Sequence, residues 1–417
     1  MTVKQLQKAK SKNIRGLLST ATGCLLGAST VVQAQSEAGW ETDVAVLIYN
    51  ETDRVSAFEP AISFKKTYDD DSVLGIKLVY DALTGASHNG AAVSDEVQTF
   101  TRPSGNGSYA TQSADVPLDD TFRDSRGSAS MNYEQPLNRF DKVIYGGNVS
   151  AEHDFTSMSG SVSYLHDLNQ RNTTLSAGIS FEYDQITPEG GVPVALSEMQ
   201  VNTNPQVRAE DSETRTMTEL LLGVTQVIDR NTLVQMNYGF SQSSGYHSDP
   251  YKIVSVLNAD GSLDAANGLN GTYIYENRPD SRTKQSLYVK AKRYMQGNIA
   301  DISYRYMWDD WDVSSHTIDT HYRFNMESNW YIEPHVRYYQ QQAAEFYRYS
   351  LSNTEVVPEF VSADYRLGDM TAITVGAKLG FKVAGHANSV RLEFYQQSGD
   401  ETPSEVDSLI LQYNYQF

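Results

Sequence analysis

Residues 409–417 read LILQYNYQF, and apolar residues occupy every second position of this stretch. One face would carry Leu409, Leu411, Tyr413, Tyr415 and Phe417, and the other Ile410, Gln412, Asn414 and Gln416. A period of two indicates a β-strand whose faces differ in polarity. An apolar, aromatic last strand is typical of outer-membrane barrels, where it pairs with the first strand and faces lipid. We therefore predict that Leu411, Tyr413, Tyr415 and Phe417 form a C-terminal signal read by the barrel-assembly machinery.

The N-terminal segment predicts export from the cytoplasm. Basic residues precede position 17, apolar and small residues fill 17–32, and Val32-Gln33-Ala34 has the pattern of a cleavage site. The run is too short and too interrupted for a transmembrane helix, so it indicates a secretory signal peptide. We predict a signal peptide over 1–34 and an outer-membrane barrel over 35–417. The only cysteine, Cys24, lies within the leader, and no disulfide is expected after cleavage.

The composition narrows the set of partners. The chain has 33 Lys and Arg against 52 Asp and Glu, a net charge of −19 at pH 7, which disfavours nucleic acid as a partner. Its 27 tyrosines far outnumber its 4 tryptophans, and amphipathic aromatic side chains suit the interface between membrane and water. We expect outer-membrane lipid to surround the protein.

Sixteen segments of the chain alternate between apolar and polar residues, as residues 409–417 do. They cover 41–50, 55–67, 73–82, 128–137, 143–153, 157–167, 173–184, 215–228, 232–243, 284–295, 299–311, 315–326, 330–346, 369–383, 388–398 and 407–417. The stretch TLSAGISFEYD, residues 174–184, shows the alternation without a break. We predict an all-β fold, a transmembrane antiparallel β-barrel of about 16 strands with short periplasmic turns and long extracellular loops.

The connection lengths support this count. Every second connection along the chain is short, and these connections cover 68–72, 138–142, 168–172, 229–231, 296–298, 327–329 and 384–387. All four long connections fall among the others, at 83–127, 185–214, 244–283 and 347–368. Trp40 and Trp330 would then lie in the periplasmic aromatic girdle, and Trp308 and Trp311 in the outer one. The long segments are rich in Gly, Ser, Asn and Asp, which predicts flexible surface loops, with a lid or docking surface as the alternative.

The hairpin around 327–329 predicts which residues face the lumen. If Met326 pairs with Trp330, antiparallel register places Phe324 opposite Ile332, Tyr322 opposite Pro334, Arg323 opposite Glu333, His321 opposite His335 and Asp319 opposite Arg337. Opposite charges meet twice, which supports this register. The predicted lumen-lining residues are Lys290, Arg305, Asp319, Arg323, Glu333, Arg337, Arg391 and Glu393. Such charges would set the selectivity of an aqueous channel or, alternatively, form ion-pair ladders in a plugged barrel.

Two histidines in this hairpin suggest a metal site. His321 and His335 face each other, and imidazole binds zinc, copper or haem iron. Two histidines are an incomplete ligand set, so a stacked, solvated pair is the competing interpretation. No cofactor is expected, and a divalent cation is the one candidate ligand. The sequence contains no catalytic motif of the G-x-S-x-G or H-E-x-x-H type, and the closest acid–histidine grouping is Asp309, Asp310, Asp312 and His316. We do not expect an enzyme.

Four strings resemble the domain-of-unknown-function family 3570 of Gram-negative bacteria. They are RNTTLSAGIS (171–180), DRNTLVQMNYGFSQSSGYHSDPYK (229–252), NRPDSRTKQSLY (277–288) and RYYQQQAAEFY (337–347). The resemblance spans nearly the whole mature chain, and GYHSDPYK and NRPDSR flank one long loop as they do in that family. It implies an outer-membrane barrel encoded near periplasmic redox or flavin-transfer functions, and it carries no catalytic residues. Asp249, Pro250 and Tyr251 are expected to shape the base of the loop.

These observations lead to three functional hypotheses. The first is a channel or transporter for small polar solutes or ions in the cell outer membrane. The second, from a different class, is a plugged barrel scaffold that docks a periplasmic or surface redox partner. An outer-membrane enzyme is the third.

Overall fold

The structure is a computed structural model that describes residues 39–102, 107–119, 123–200, 208–264, 272–327, 329–400 and 402–417. The predicted signal peptide, residues 1–34, lies outside the described residues. Within these described ranges, no helix is long and apolar enough to cross a membrane.

Sixteen antiparallel strands form a closed barrel, as predicted. The strands are β1 Trp40–Glu51, β2 Val55–Thr67, β3 Val73–Gly85, β4 Arg123–Pro136, β5 Asp141–Ala151, β6 Phe155–Leu168, β7 Thr173–Ile186, β8 Glu213–Asp229, β9 Thr232–Gly245, β10 Ser281–Met295, β11 Asn298–Asp309, β12 Ser314–Glu327, β13 Trp330–Gln342, β14 Met370–Val383, β15 His386–Gly399 and β16 Val406–Gln416. Each strand pairs with its neighbours in the chain, and β1 pairs with β16 to close the barrel. Closure leaves no unpaired strand edge, which a lipid environment requires.

Apolar side chains form the outer surface of the barrel. Ile302 on β11, Val375 on β14 and Phe394 on β15 are 53%, 47% and 63% exposed, and they alternate with polar residues along their strands. Leu411, Tyr413 and Phe417 of the predicted C-terminal signal share this outer face. A water-soluble barrel would not expose such a band, so the outer surface is that of a protein embedded in lipid.

The tryptophan prediction holds in part. Trp40 and Trp330 begin β1 and β13 at the end with the short turns, and Trp308 lies near the opposite end of β11, stacked on Tyr306 at 5.3 Å between ring centroids. Trp311 was expected in the outer girdle, and this expectation is wrong. Its ring is 4% exposed, because the chain leaves β11 at Asp309 and packs the indole beneath a loop.

The four long loops do not remain separate; they form one folded unit, which we call the cap. It comprises the described residues of 86–122, 187–212, 246–280 and 343–369, the loops that follow β3, β7, β9 and β13. Short strands join the loop after β9 to the loop after β13. Within the first loop, residues 272–275 pair with 253–257, and 253–257 pair in parallel with 350–352 of the second loop. A bridge between Glu198 and Ile274 adds the loop after β7.

The cap crosses the extracellular mouth of the barrel. The amide of Ile253, in the loop after β9, donates to the carbonyl of Asn89, in the loop after β3, at 2.9 Å. Several strands separate the roots of these loops on either path around the barrel, far more than one strand spacing of about 4.8 Å. The amide of Val93 likewise donates to the hydroxyl of Tyr349, in the loop after β13, at 2.8 Å. Loops rooted so far apart on a closed barrel can meet only across its opening.

The cap has its own hydrophobic core. One cluster brings together residues of three loops: Ala91, Phe100, Met199, Ile253, Leu263, Tyr273 and Tyr275. Two further clusters centre on Val254 with Val361 and on Trp311 with Phe346. The described residues of the four loops are packed on one another, which favours the alternative, a lid or docking surface, over independent surface loops. The few apolar residues of each loop, too sparse to form a core alone, converge from four separate segments.

Candidate functional site in the lumen and the cap

The register of the β12–β13 hairpin confirms most of the predicted pairs. His321 lies opposite His335, Asp319 opposite Arg337 and Phe324 opposite Ile332. The predicted pairing of Met326 with Trp330 is wrong, because Glu327 pairs with Trp330. The pairing shifts by one residue between Asn325 and Glu327, next to the turn. From Asn325 back towards Ser314, the residues of β12 keep the predicted partners on β13 and therefore the predicted faces.

Two stacked histidines share one carboxylate. The imidazole rings of His321 and His335 are parallel, with an interplanar angle of 1° and 4.1 Å between centroids. The Nε2 of His321 lies 2.9 Å from Oδ1 of Asp319, and the Nε2 of His335 lies 3.2 Å from Oδ2 of the same residue. The register pairs Asp319 with Arg337, yet the Asp319 carboxylate is directed at the two imidazoles.

A second carboxylate reaches His335 across an intervening strand. The Nδ1 of His335 on β13 donates to Oε1 of Glu393 on β15 at 2.8 Å. Between them in the register lies Gly376 on β14. A Cβ at Gly376 would lie 2.5 Å from Cγ of Glu393 and would also overlap the carbonyl oxygen of Leu392. The missing side chain is therefore what permits the contact between His335 and Glu393.

Glu333 anchors two cations beside the histidines. Its Oε2 accepts from Nε of Arg323 at 2.8 Å, as predicted, and its Oε1 lies 2.6 Å from Nζ of Lys378. The Arg323 guanidinium also lies over the ring of Tyr331, 4.0 Å from its centroid. These contacts join β12, β13 and β14 in one polar ladder, which stabilises the register on the lumen face.

The remaining predicted lumen residues divide into paired and unpaired cations. Lys290 forms an ion pair with Asp301 at 2.9 Å, and Arg391 lies 3.7 Å from Glu393. Arg305 and Arg337 occupy β11 and β13 at positions alternate to the apolar outer residues. Among the described residues, neither has a carboxylate within salt-bridge distance.

A buried ion cluster holds the cap together. Arg278 donates to Oε2 of Glu276 at 3.0 Å and to Oδ2 of Asp364 at 2.9 Å. Arg366 pairs with the same Asp364 and lies 3.2 Å from Oδ2 of Asp249. The cluster thus connects the loop after β9 with the loop after β13, and opposite charges meet where water is excluded.

The basic residues of the cluster keep Asp364 ionised. Burial raises the pKa of the Asp364 carboxyl, but Arg366, Lys252 and Arg278 outweigh it and hold that pKa well below its usual range. Lys252 donates from Nζ to the backbone carbonyl of His88. Burial, reinforced by the nearby ammonium of Lys252, lowers the pKa of His88 to about 3. His88 is therefore neutral, and its Nδ1 accepts from the amide of Gly90 at 3.1 Å.

The cap cluster was not predicted, although part of it lies in strings that stand out in the sequence. Asp249 and Lys252 lie in GYHSDPYK, and Arg278 lies in NRPDSR, the two strings that flank one loop. The predicted shaping of the loop base agrees with the structure, since Oδ1 of Asp249 accepts from the amide of Tyr251 at 3.1 Å. The dense charges in both strings were the available signal, but their partners Asp364 and Arg366 belong to a different loop much further along the chain.

The acid–histidine grouping near 309–316 does not assemble. Asp309 pairs with Arg282 and accepts from the amides of Trp311 and Val313. His316 lies on the lipid side of β12, where its Nδ1 is 2.7 Å from the hydroxyl of Tyr304. Alternation along the strand separates the two groups.

A closed antiparallel barrel with an apolar outer band, a charged lumen face and short turns at one end defines an outer-membrane β-barrel protein. Over residues 15–415 the chain matches the family described as "Protein of unknown function (DUF3570)", and it belongs to that family.

Several solved structures are similar to this chain at low sequence identity. CdiB from Acinetobacter baumannii is 7% identical, with 92% of this chain and 61% of that chain covered and a TM-score of 0.48. A bacterial polysaccharide outer membrane secretin is 8% identical, with 92% and 99% covered and a TM-score of 0.47. The siderophore receptor PirA from Acinetobacter baumannii is 9% identical, with 88% and 54% covered and a TM-score of 0.42. The chain thus spans less than two thirds of CdiB and PirA. No curated protein matches the chain significantly.

Proposed function

We propose that this protein is a channel or transporter for small polar solutes or ions, with the cap as its extracellular gate. The observation that carries the proposal is the charged lumen face of β10–β15, which includes two arginines without a carboxylate partner among the described residues, Arg305 and Arg337. A barrel of sixteen strands is wide enough to hold an aqueous passage.

The unpaired arginines support a hydrated lumen. An ionised guanidinium is costly to bury without either a counter-charge or water. Arg305 and Arg337 have no counter-charge within salt-bridge distance in the described part of the chain, which favours their hydration by water in the lumen. A lumen filled entirely by protein would leave them without hydration.

The cap determines when solute passes. It crosses the mouth and is joined by the Arg278–Asp364 ion pair, so passage requires the cap to open or to contain a narrow path. We expect the wild-type protein to conduct weakly or intermittently, and we expect variants with a weakened cap to conduct more.

Single-channel conductance in a planar bilayer tests this proposal. Folded wild-type protein and the Arg278→Ala variant are compared in KCl at several concentrations. Steps that scale with salt and grow larger or more frequent in the variant support a gated channel. Silence from both proteins, when each is shown to be folded by its heat-modifiable migration in gels, refutes it.

A closed scaffold is the second candidate, and the cap itself favours it. A folded extracellular unit with a buried core offers a rigid docking surface for a redox partner, whereas a simple pore needs none. Silence in both proteins would make this function the stronger one.

A further inference from the structure

We propose that Asp319, His321 and His335 bind one first-row transition-metal dication in the lumen. The three residues offer two imidazole nitrogens and one carboxylate oxygen, and these ligand atoms all lie within 4.8 Å of one another. Imidazole and carboxylate are the ligands that Zn²⁺ and its neighbours in the series accept. The site does not depend on whether the lumen conducts.

The two nitrogen–oxygen separations match those of ligands around one metal ion. Metal–ligand bonds of about 2.1 Å at angles near 90–110° place the ligand atoms roughly 3.0–3.4 Å apart. The Nε2 atoms of His321 and His335 lie 2.9 and 3.2 Å from the two oxygens of Asp319. A metal ion would replace the Nε2 protons, which pass to solvent, and the two parallel rings would tilt so that their in-plane lone pairs converge on the ion.

The surroundings of the histidines have the arrangement that supports metal ligands. Metal-binding histidines usually donate their other ring N–H to a carboxylate, which fixes the ring and its tautomer. His335 does so, because its Nδ1 donates to Glu393 at 2.8 Å, and the Nδ1 of His321 lies 4.0 Å from Oε1 of Glu333. Both imidazoles therefore have Nε2 close to the shared Asp319, and His335 has a second carboxylate hydrogen-bonded to its other nitrogen, whereas Glu333 lies beyond hydrogen-bond distance from His321.

The competing explanation is an ion-pair ladder with no ligand. Glu333 fits that description, since Arg323 and Lys378 neutralise it. The histidine pair differs from Glu333, because two imidazoles, parallel and 4.1 Å apart, converge on the single carboxylate of Asp319. A dication in place of the two Nε2 protons would keep the local charge and bind all three side chains at one point. His335 is also 7% exposed, so water supplies little screening.

Calorimetric titration of the folded, detergent-solubilised protein with Zn²⁺ tests the site. We expect one ion per chain in the wild type, and no binding at that site in Asp319→Asn or His335→Gln, which keep the polarity and roughly the size of the side chains. Glu393→Gln should weaken the affinity by about 10- to 100-fold, as loss of a supporting carboxylate does. His316→Ala is the matched control, because His316 lies on the lipid side of β12, the strand that carries Asp319 and His321. This variant should bind Zn²⁺ with the affinity of the wild type.

Electron paramagnetic resonance with Cu²⁺ identifies the ligands directly. The wild type should show coupling to two imidazole nitrogens, and His321→Gln to one. Absence of Zn²⁺ binding by folded wild-type protein would overturn the proposal. So would unchanged stoichiometry and affinity in Asp319→Asn and His335→Gln, since the ion would then be bound elsewhere on the surface.

Discussion

Arg278 and Asp364 are 86 residues apart in the chain and meet at 2.9 Å in the interior of the cap. One belongs to the loop after β9 and the other to the loop after β13. Their contact adds a buried ion pair to the short parallel strands, 253–257 and 350–352, that also join these two loops at the mouth of the barrel. The gating proposal depends on this relationship, and four predictions test the cap and the lumen.

Removing one partner of this pair should open the cap. Arg278→Ala leaves Asp364 and Glu276 without one of their cations, and breaking a buried ion pair in this way typically costs about 3–5 kcal/mol. We expect trypsin or proteinase K to cleave the cap loops at least tenfold faster than in the wild type, in protein reconstituted with the cap outward.

The control for this variant is an exposed pair. Arg171 lies 3.8 Å from Asp167 with its side chain 61% exposed, and such pairs contribute about 0–1 kcal/mol. Arg171→Ala should therefore leave the cleavage rate of the cap unchanged. Equal rates in wild type and Arg278→Ala would show that the ion cluster does not hold the cap closed.

Acid should weaken the cap through His88. Its pKa falls from an ordinary 6.5 to about 3 in the folded cap because burial and Lys252 oppose its protonation. In the opened cap His88 has its ordinary pKa and takes up a proton at higher pH than in the closed cap. The contribution of neutral His88 to the stability of the closed cap is therefore complete above about pH 6.5 and declines below it. At about 1.4 kcal/mol per pH unit, the loss at pH 5 is roughly 2 kcal/mol.

Hydrogen exchange measured by mass spectrometry at pH 7 and pH 5, corrected for the intrinsic rate, checks this prediction. Peptides around residue 88 should lose protection at pH 5 in the wild type. His88→Gln should reduce this loss, and His247 should account for the remainder because burial lowers its pKa to about 4. An identical loss in the variant would exclude His88 as its source.

Gly376→Ala should destabilise the barrel at the histidine stack. The added Cβ would lie 2.5 Å from Cγ of Glu393 and must push that side chain away from His335, and overpacking of this kind costs about 1–3 kcal/mol. The measurement is the urea midpoint for unfolding of the barrel in lipid vesicles.

A matched glycine provides the control for this substitution. A Cβ added at Gly127 on β4 would meet no atom within 4 Å, so Gly127→Ala should be neutral or slightly stabilising. If both substitutions shift the midpoint equally, the contact between His335 and Glu393 does not depend on the small residue at 376.

Arg337→Glu should change ion selectivity if the lumen conducts. It reverses a lumen charge that has no carboxylate partner among the described residues, so the ratio of cation to anion permeability should rise, as shown by the reversal potential across a KCl gradient. Arg337→Lys keeps the charge and should keep the wild-type ratio. An open pore whose selectivity is the same in both variants would contradict the assignment of Arg337 to the lumen surface.

The strand pattern predicted the barrel because lipid imposes a strict local rule. Outward residues must be apolar and every backbone group must be paired, so a period of two appears in each strand and can be counted without knowledge of its neighbours. All sixteen strands and the short turns were therefore predictable, as was the pairing of His321 with His335, which follows from a single hairpin.

The cap and the histidine site required the tertiary structure. The cap joins Arg278 to Asp364 and Phe100 to Tyr273, pairs that no local period relates and that only the closed barrel brings over one mouth. The orientation of Asp319 toward the histidines and the reach of Glu393 past Gly376 depend on contacts among four strands. The sequence by itself determined which face of each strand meets lipid, because each outward position needs an apolar residue whatever its neighbours are. The tertiary structure alone decided which distant charges meet, because their attraction depends on distances that closure of the barrel sets.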